Sequence, residues 1–200
     1  MWDQRYVSDA YVYGIAPSAF LQRSADLLIP GQAALAIADG EGRNSVYMAQ
    51  QGLQVTAMDN STVGLEKARR LADAKDVDVD FRLADLRVWD WTSAKYDVVA
   101  AIFIQFADPA FRSEIFDGIE RTLRPGGLLL LHGYAPNQIG LGTGGPSNAE
   151  NLYSKDFLAE RFGDWDIIRL EEYETELHEG TGHCGPSALI DLIARKHSPG

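Results

Sequence analysis

At 200 residues, 46% hydrophobic and with one cysteine, Cys184, the chain is long enough to bury a full core without disulfides or metal staples. Its 29 acidic residues outnumber 18 basic ones, and the resulting charge of −11 repels a phosphate backbone, which excludes nucleic acid as an expected partner. The start, MWDQRYVSDAYVYG, has no signal-peptide pattern, and the longest apolar run, around Leu128–Leu131, is too short to cross a bilayer, so a cytoplasmic protein with no membrane partner is expected.

No repeat or linker divides the chain, so one domain is expected over residues 1–200. After a leader rich in aromatic residues, 17–28 reads as an amphipathic helix. Residues 34–38 (ALAIA) read as a buried strand, and a glycine turn leads into a helix at 45–51. A strand at 54–59, a helix through 65–74, strands at 79–83 and 97–104, a helix at 111–123 and a strand at 128–134 follow. Strands alternating with helices of this length define βαβ units and a mostly parallel α/β sheet with helices on both faces. The last third differs: a helix at 154–162 precedes strands at 166–177 and 188–196 joined by a glycine-rich turn. Two strands joined without a helix pair antiparallel, so an edge hairpin is expected.

The densest motif is Asp39-Gly40-Glu41-Gly42-Arg43-Asn44, directly after the first strand. Glycines there let a ligand approach the backbone, and a helix N-terminus presents unpaired N–H groups. A tight strand-to-helix connection is the alternative reading. Asp59 ends the second strand, where a carboxylate can accept both hydroxyls of a ribose. Asp85 follows the third strand, where it can meet an adenine amine, and the sheet's carboxyl ends are where such ligands sit.

Asp-Gly-Glu-Gly-Arg-Asn-Ser (39–45), Val-Thr-Ala-Met-Asp (55–59), Ala-Asp-Leu (84–86), Tyr-Asp-Val-Val (96–99) and Leu-Arg-Pro-Gly-Gly (123–127) fall in the order of the class I S-adenosylmethionine (SAM)-dependent methyltransferases, which the whole chain resembles. Gly-Arg-Asn-Ser and Glu-Leu-His (176–178) look like the tellurite-resistance methyltransferases and, more distantly, thiopurine methyltransferase. The leader Trp-Asp-x-Arg-Tyr (2–6), the loop Gly-Thr-Gly-Gly-Pro (142–146) and a Gly-x-His-x-Gly around His183 are shared with small bacterial proteins of unassigned substrate. The resemblance implies a Rossmann-like sheet of seven strands, with SAM as cofactor and S-adenosylhomocysteine as product. It implies cofactor contacts from Trp2, Asp39, Gly40, Gly42, Asn44, Asp59, Asn60, Ser61, Asp85, Leu86, Ala101 and Phe103. Two positions depart from the family pattern: Ala36 replaces the usual acidic residue of the first strand, and Ala38 the usual first glycine.

Methyl transfer from a sulfonium is an in-line displacement, so a protein must mainly align the acceptor and exclude water. Arg43 and His178 match residues that the tellurite-resistance family places near an anionic acceptor, although Glu179 stands where that family has arginine. Gln105 follows the fourth strand and reads either as an acceptor contact or as a cap of the next helix. Trp2, Arg5, Tyr6, Tyr11 and Tyr13 read as a lid, residues 1–16, over a cationic cofactor, or as a stretch packed flat on the core. His178, Glu179 and His183 fit no common metal-site spacing, so no metal is expected. The glycine run at 140–145 lacks the lysine of a phosphate loop and reads as a mobile loop near the acceptor. The acceptor is expected to be a small molecule, on a monomer or homodimer. A non-catalytic SAM-binding module and a nicotinamide oxidoreductase are the alternatives, the second disfavoured by Ser45 in place of a third glycine.

Overall fold

The computed structural model describes residues 2–92 and 94–198, which divide into two compact units. The first runs to Asp90 and takes in Glu179–Gly182; the second comprises Trp91–His178 and the chain from His183 onward.

In the first unit, β1 (Ala33–Ile37), β2 (Gln54–Asp59) and β3 (Asp80–Leu83) pair in parallel, with Ala36 opposite Ala57 and Asp59 opposite Leu83. Four helices accompany them: α1 (Trp2–Arg5), α2 (Ala19–Arg23), α3 (Arg43–Gln50) and α4 (Thr62–Ala74). The helix expected over 17–28 is broken in two. The Ser24 hydroxyl bonds the Phe20 carbonyl at 2.9 Å, and a separate 3-10 turn takes Ala25–Leu27. Helix α3 starts two residues earlier than expected because Gly42 turns the chain left-handed (φ 88°). Ser61 caps α4, its Oγ accepting the Gly64 N–H at 3.0 Å. Val46 of α3 packs with Leu71 and Ala72 of α4 in one buried cluster, which Tyr11 and Phe81 cover.

In the second unit, β4 (Tyr96–Ile102) lies parallel to β5 (Leu123–Tyr134), and β5 lies antiparallel to β7 (His183–Arg195). Helix α5 (Pro109–Thr122) is capped by Asp108, and α6 (Lys155–Arg161) by Ser154. Strand β4 stops at Ile102, short of the expected 104, because Phe103 turns left-handed (φ 56°). Strand β5 begins at Leu123, ahead of the expected 128, since the Pro125-Gly126-Gly127 turn is absorbed as an irregularity in its pairing with β4. Strand β6 (Asp166–Glu179) and β7 run closer together than expected, with only residues 180–182 between them. The strands form a seven-stranded sheet ordered β3-β2-β1-β4-β5-β7-β6, mostly parallel with an antiparallel end. The edge hairpin read from the sequence is therefore present. No helix among the described residues is long and apolar enough to cross a membrane.

Candidate active site

The turn after β1 holds two carboxylates. Asp59, 6% exposed, accepts the Gly40 N–H through Oδ2 and the Ser61 N–H through Oδ1, each at 2.8 Å. A carboxylate offers about four lone-pair positions, so two backbone donors leave room for sugar hydroxyls. Burial raises its pKa, and the Gly40 and Ser61 amides pull it back. Asp39 accepts the Ser45 N–H at 3.3 Å through Oδ1, while its Oδ2 is buried without a hydrogen bond. Burial, only partly countered by Ser45 and reinforced by Asp59, pushes the Asp39 carboxyl up to about 7. Ala38, in place of the usual first glycine, adopts φ 48°, the conformation that glycine favours.

The nearby cations are already engaged. Arg43 pairs with Glu179 at 2.7 Å, its side chain 6% exposed, and donates to the Tyr13 carbonyl at 3.3 Å. Lys67, 1% exposed, pairs with Glu41 and donates to the Ser8 and Ala10 carbonyls at 2.9 and 2.7 Å. Glu41 in turn accepts the Val12 and Tyr13 N–H groups at 2.8 and 3.3 Å. An ion pair buried under the leader thus grips it from both sides. Asp3 ties down its start, accepting the Ser61 hydroxyl at 2.5 Å, and this bond lowers the pKa of the Asp3 carboxyl.

The leader lies packed over the turn. Tyr6 is 4% exposed, stacks on Trp2 at 6.2 Å and meets Tyr13 edge-on at 6.4 Å. A Cβ placed on Gly40 would stand 2.7 Å from the Tyr6 hydroxyl, and one on Gly42 would stand 2.6 Å from the Ala68 Cβ. The two glycines are thus required by the leader and by α4, a requirement separate from any ligand. Asn44 accepts the Ser18 N–H at 2.9 Å and fastens α2 to the turn, whereas Asn60 is exposed beside it. Asp85 closes a tight turn by accepting the Arg87 N–H at 2.9 Å, next to buried Leu86.

In the second unit, Ala101 is fully buried in β4. Phe103 lies against His132, Tyr134 and His183, with ring centres 4.7, 5.0 and 4.0 Å away. Gln105 has both ends of its amide on the Tyr134 backbone, donating to its carbonyl at 2.8 Å and accepting its N–H at 2.6 Å. That bidentate bond splices the chain after β4 onto β5. His178 is exposed on β6. Among the described residues, no group of three or more His, Cys, Asp or Glu is placed to hold a metal.

Two features went unread in the sequence although both carry a signal. Lys67 occupies the stripe Gly64, Lys67, Ala68 and Leu71 that α4 buries, a place where a lysine demands a partner. His132 and Asp191 interrupt the apolar runs of β5 and β7 at positions directly opposite in register.

These turns after parallel strands are the architecture of the class I SAM-dependent methyltransferase fold. Residues 34–127 match the family described as "Methyltransferase domain". Carboxy-S-adenosyl-L-methionine synthases are similar to part of the chain. The one from Aliivibrio fischeri strain MJ11 is 38% identical over 84 residues, 41% of this chain, and that from Yersinia enterocolitica is 30% identical over 82 residues, 40% of it. The matches span about a third of those relatives, 34% and 31%. Among solved structures, one described for the conversion of a disulfide bond into a thioacetal group during echinomycin biosynthesis aligns with a TM-score of 0.75 at 21% identity, covering 100% of this chain and 92% of that one. TehB from Haemophilus influenzae aligns with a TM-score of 0.74 at 19% identity, covering 98% and 65%. These likenesses are of fold.

Proposed function

We propose that the chain transfers a methyl group from SAM to a small, soft acceptor such as a thiol or selenol. SAM is net cationic through its sulfonium and ammonium groups. The turn suits it: Asp39 and Asp59 are carboxylates, and neighbouring Arg43 and Lys67 are each committed to a glutamate. Asp59 would take the ribose hydroxyls, Asp85 and Leu86 would bracket the adenine, and the Asp39 carboxylate would face the cationic end. Bound SAM supplies an electrophilic methyl; the chain's residues bind it, orient it and keep water away.

The observation that favours a soft acceptor is the pairing of Arg43 with Glu179. An oxyanion would need an available cation, and this arginine is the one that the sequence offers for it. A single, exposed Cys184 is compatible with a reducing cytoplasm. Incubation with labelled SAM and separate thiol, selenite, phenol, protein and RNA pools tests the reading. Label is expected in the thiol pool. Label confined to protein or RNA would refute a small acceptor, and SAM bound without turnover in any pool would mark a non-catalytic binding module.

A further inference from the structure

We propose that the Tyr6 hydroxyl is a cofactor-binding group, donating a hydrogen bond to the same ribose hydroxyl whose proton Asp59 accepts, an inference that rests on the SAM-binding reading above. The leader then meets the sugar through one named atom.

Two glycines make the slot that the Tyr6 ring fills. A Cβ on Gly64, in the first turn of α4, would stand 3.1 Å from Tyr6 Cδ2, and one on Gly40 would stand 2.7 Å from the Tyr6 hydroxyl. Trp2 stacks on the ring and Tyr13 meets it edge-on. On one side in sequence, Asp3 accepts the Ser61 hydroxyl and the Val63 N–H. On the other, the Ser8 and Ala10 carbonyls accept bonds from Lys67. The ring is thus fixed before a ligand arrives, so binding has little side-chain freedom left to remove.

The hydroxyl is the part of the residue that packing does not explain, since a phenylalanine would fill the slot equally well. Tyr6 is 4% exposed, yet its hydroxyl has no hydrogen-bond partner among the described residues. A buried phenol usually has one. The other tyrosines of the leader are engaged. Tyr11 donates to the Lys67 carbonyl at 2.9 Å, and the Arg5 guanidinium lies 5.4 Å from the Tyr13 ring centre. The Tyr6 hydroxyl instead faces Gly40, whose N–H is held by Asp59 at 2.8 Å. Burial, and after it the Asp59 charge, keeps the phenol well above its ordinary pKa, so the group remains a donor.

A ribose hydroxyl both donates and accepts. It can give its proton to Asp59, whose two oxygens each keep a lone pair beyond their backbone bonds, and accept the phenol proton on its own oxygen. Asp59 and Tyr6 supply the two complementary partners. A site built this way discriminates against a sugar lacking that hydroxyl, because both protein groups would be left unpaired.

Calorimetry of the full-length wild type and Tyr6→Phe tests the contact, with S-adenosylhomocysteine and its 2′-deoxy and 3′-deoxy analogues as ligands. Tyr6→Phe is expected to bind S-adenosylhomocysteine about fivefold more weakly, and to match the wild type on one of the two analogues, the one missing the hydroxyl that Tyr6 meets. Urea unfolding of the free proteins is expected to show Tyr6→Phe at least as stable as the wild type, because the hydroxyl it loses has no partner. Equal affinity of the two proteins for S-adenosylhomocysteine, or the same loss on all three ligands, overturns the sugar contact and leaves the function standing. A lower urea midpoint in Tyr6→Phe overturns it too, by revealing a partner within the protein. A wild type that binds none of the three ligands overturns the cofactor reading and the contact together.

Discussion

Glu179 closes on Arg43 from the far end of the sequence: Oε2 stands 2.7 Å from Nη2, and its other oxygen accepts the Ala19 N–H at 3.0 Å. One carboxylate therefore neutralises the arginine next to the glycine turn and fastens the start of α2. Glu179→Gln leaves Arg43 buried without its counter-charge, a loss that typically costs about 3 kcal/mol. Replacing both residues with methionine removes the stranded charge and is expected to cost clearly less. Urea unfolding of the wild type and both variants checks this. Equal losses in the single and double variants would show that the pair does not act as a unit.

Ala38 provides a test with the opposite sign. At φ 48° its Cβ is strained where glycine is not, so Ala38→Gly is expected to stabilise the fold by about 1 kcal/mol. The gain would appear as a higher urea midpoint with an unchanged slope. A lower midpoint would mean that the flexibility added to the unfolded chain outweighs the relief of strain.

Much of this was legible in the sequence. The strand-helix alternation located every strand of the sheet, since buried strands read as apolar runs such as ALAIA and DVVAAIFI. The antiparallel end followed from two strands with no room for a helix between them. What was not legible was long-range. Gln105 read equally as an acceptor contact or as a cap of the next helix, and nothing in the sequence pointed to the Tyr134 backbone that its amide bonds. The aromatic leader showed no regular period, because it is held by Lys67 and Glu41 rather than by a pattern of its own. Single-sequence periodicity reports which face of an element is apolar, and it is silent on which distant polar group completes a bond.

The grip on the leader yields a third prediction. Lys67→Met together with Glu41→Met removes the buried charges at similar side-chain volume, and frees the Ser8 and Ala10 carbonyls and the Val12 and Tyr13 amides. Amide exchange at Val12 and Tyr13 is expected to accelerate at least about tenfold, with the strands unaffected, and SAM binding to weaken if the leader acts as a lid. Exchange as slow as in the wild type would show that the aromatic contacts of Tyr6 hold the leader unaided.

The carboxylates of the turn set a pH dependence for cofactor binding. Asp39 has its pKa raised to about 7, so in the free protein it is largely protonated below that value. The sign follows from linkage. A carboxyl whose folded pKa lies above its unfolded one favours folding at low pH, and this contribution is lost as pH rises toward about 7. A cationic ligand reverses the balance, because it binds the ionised form. Affinity for SAM is therefore expected to rise by up to about tenfold between roughly pH 6 and pH 8, the change in the ionised fraction across that interval. Asp39→Asn should flatten this dependence and hold affinity near its low-pH level. Asp59→Ala should weaken binding more than about tenfold at every pH, since it removes a charged acceptor from the ribose. Calorimetry of the wild type and both variants across the range separates the two roles. A wild-type affinity independent of pH would show that SAM does not meet the Asp39 carboxylate.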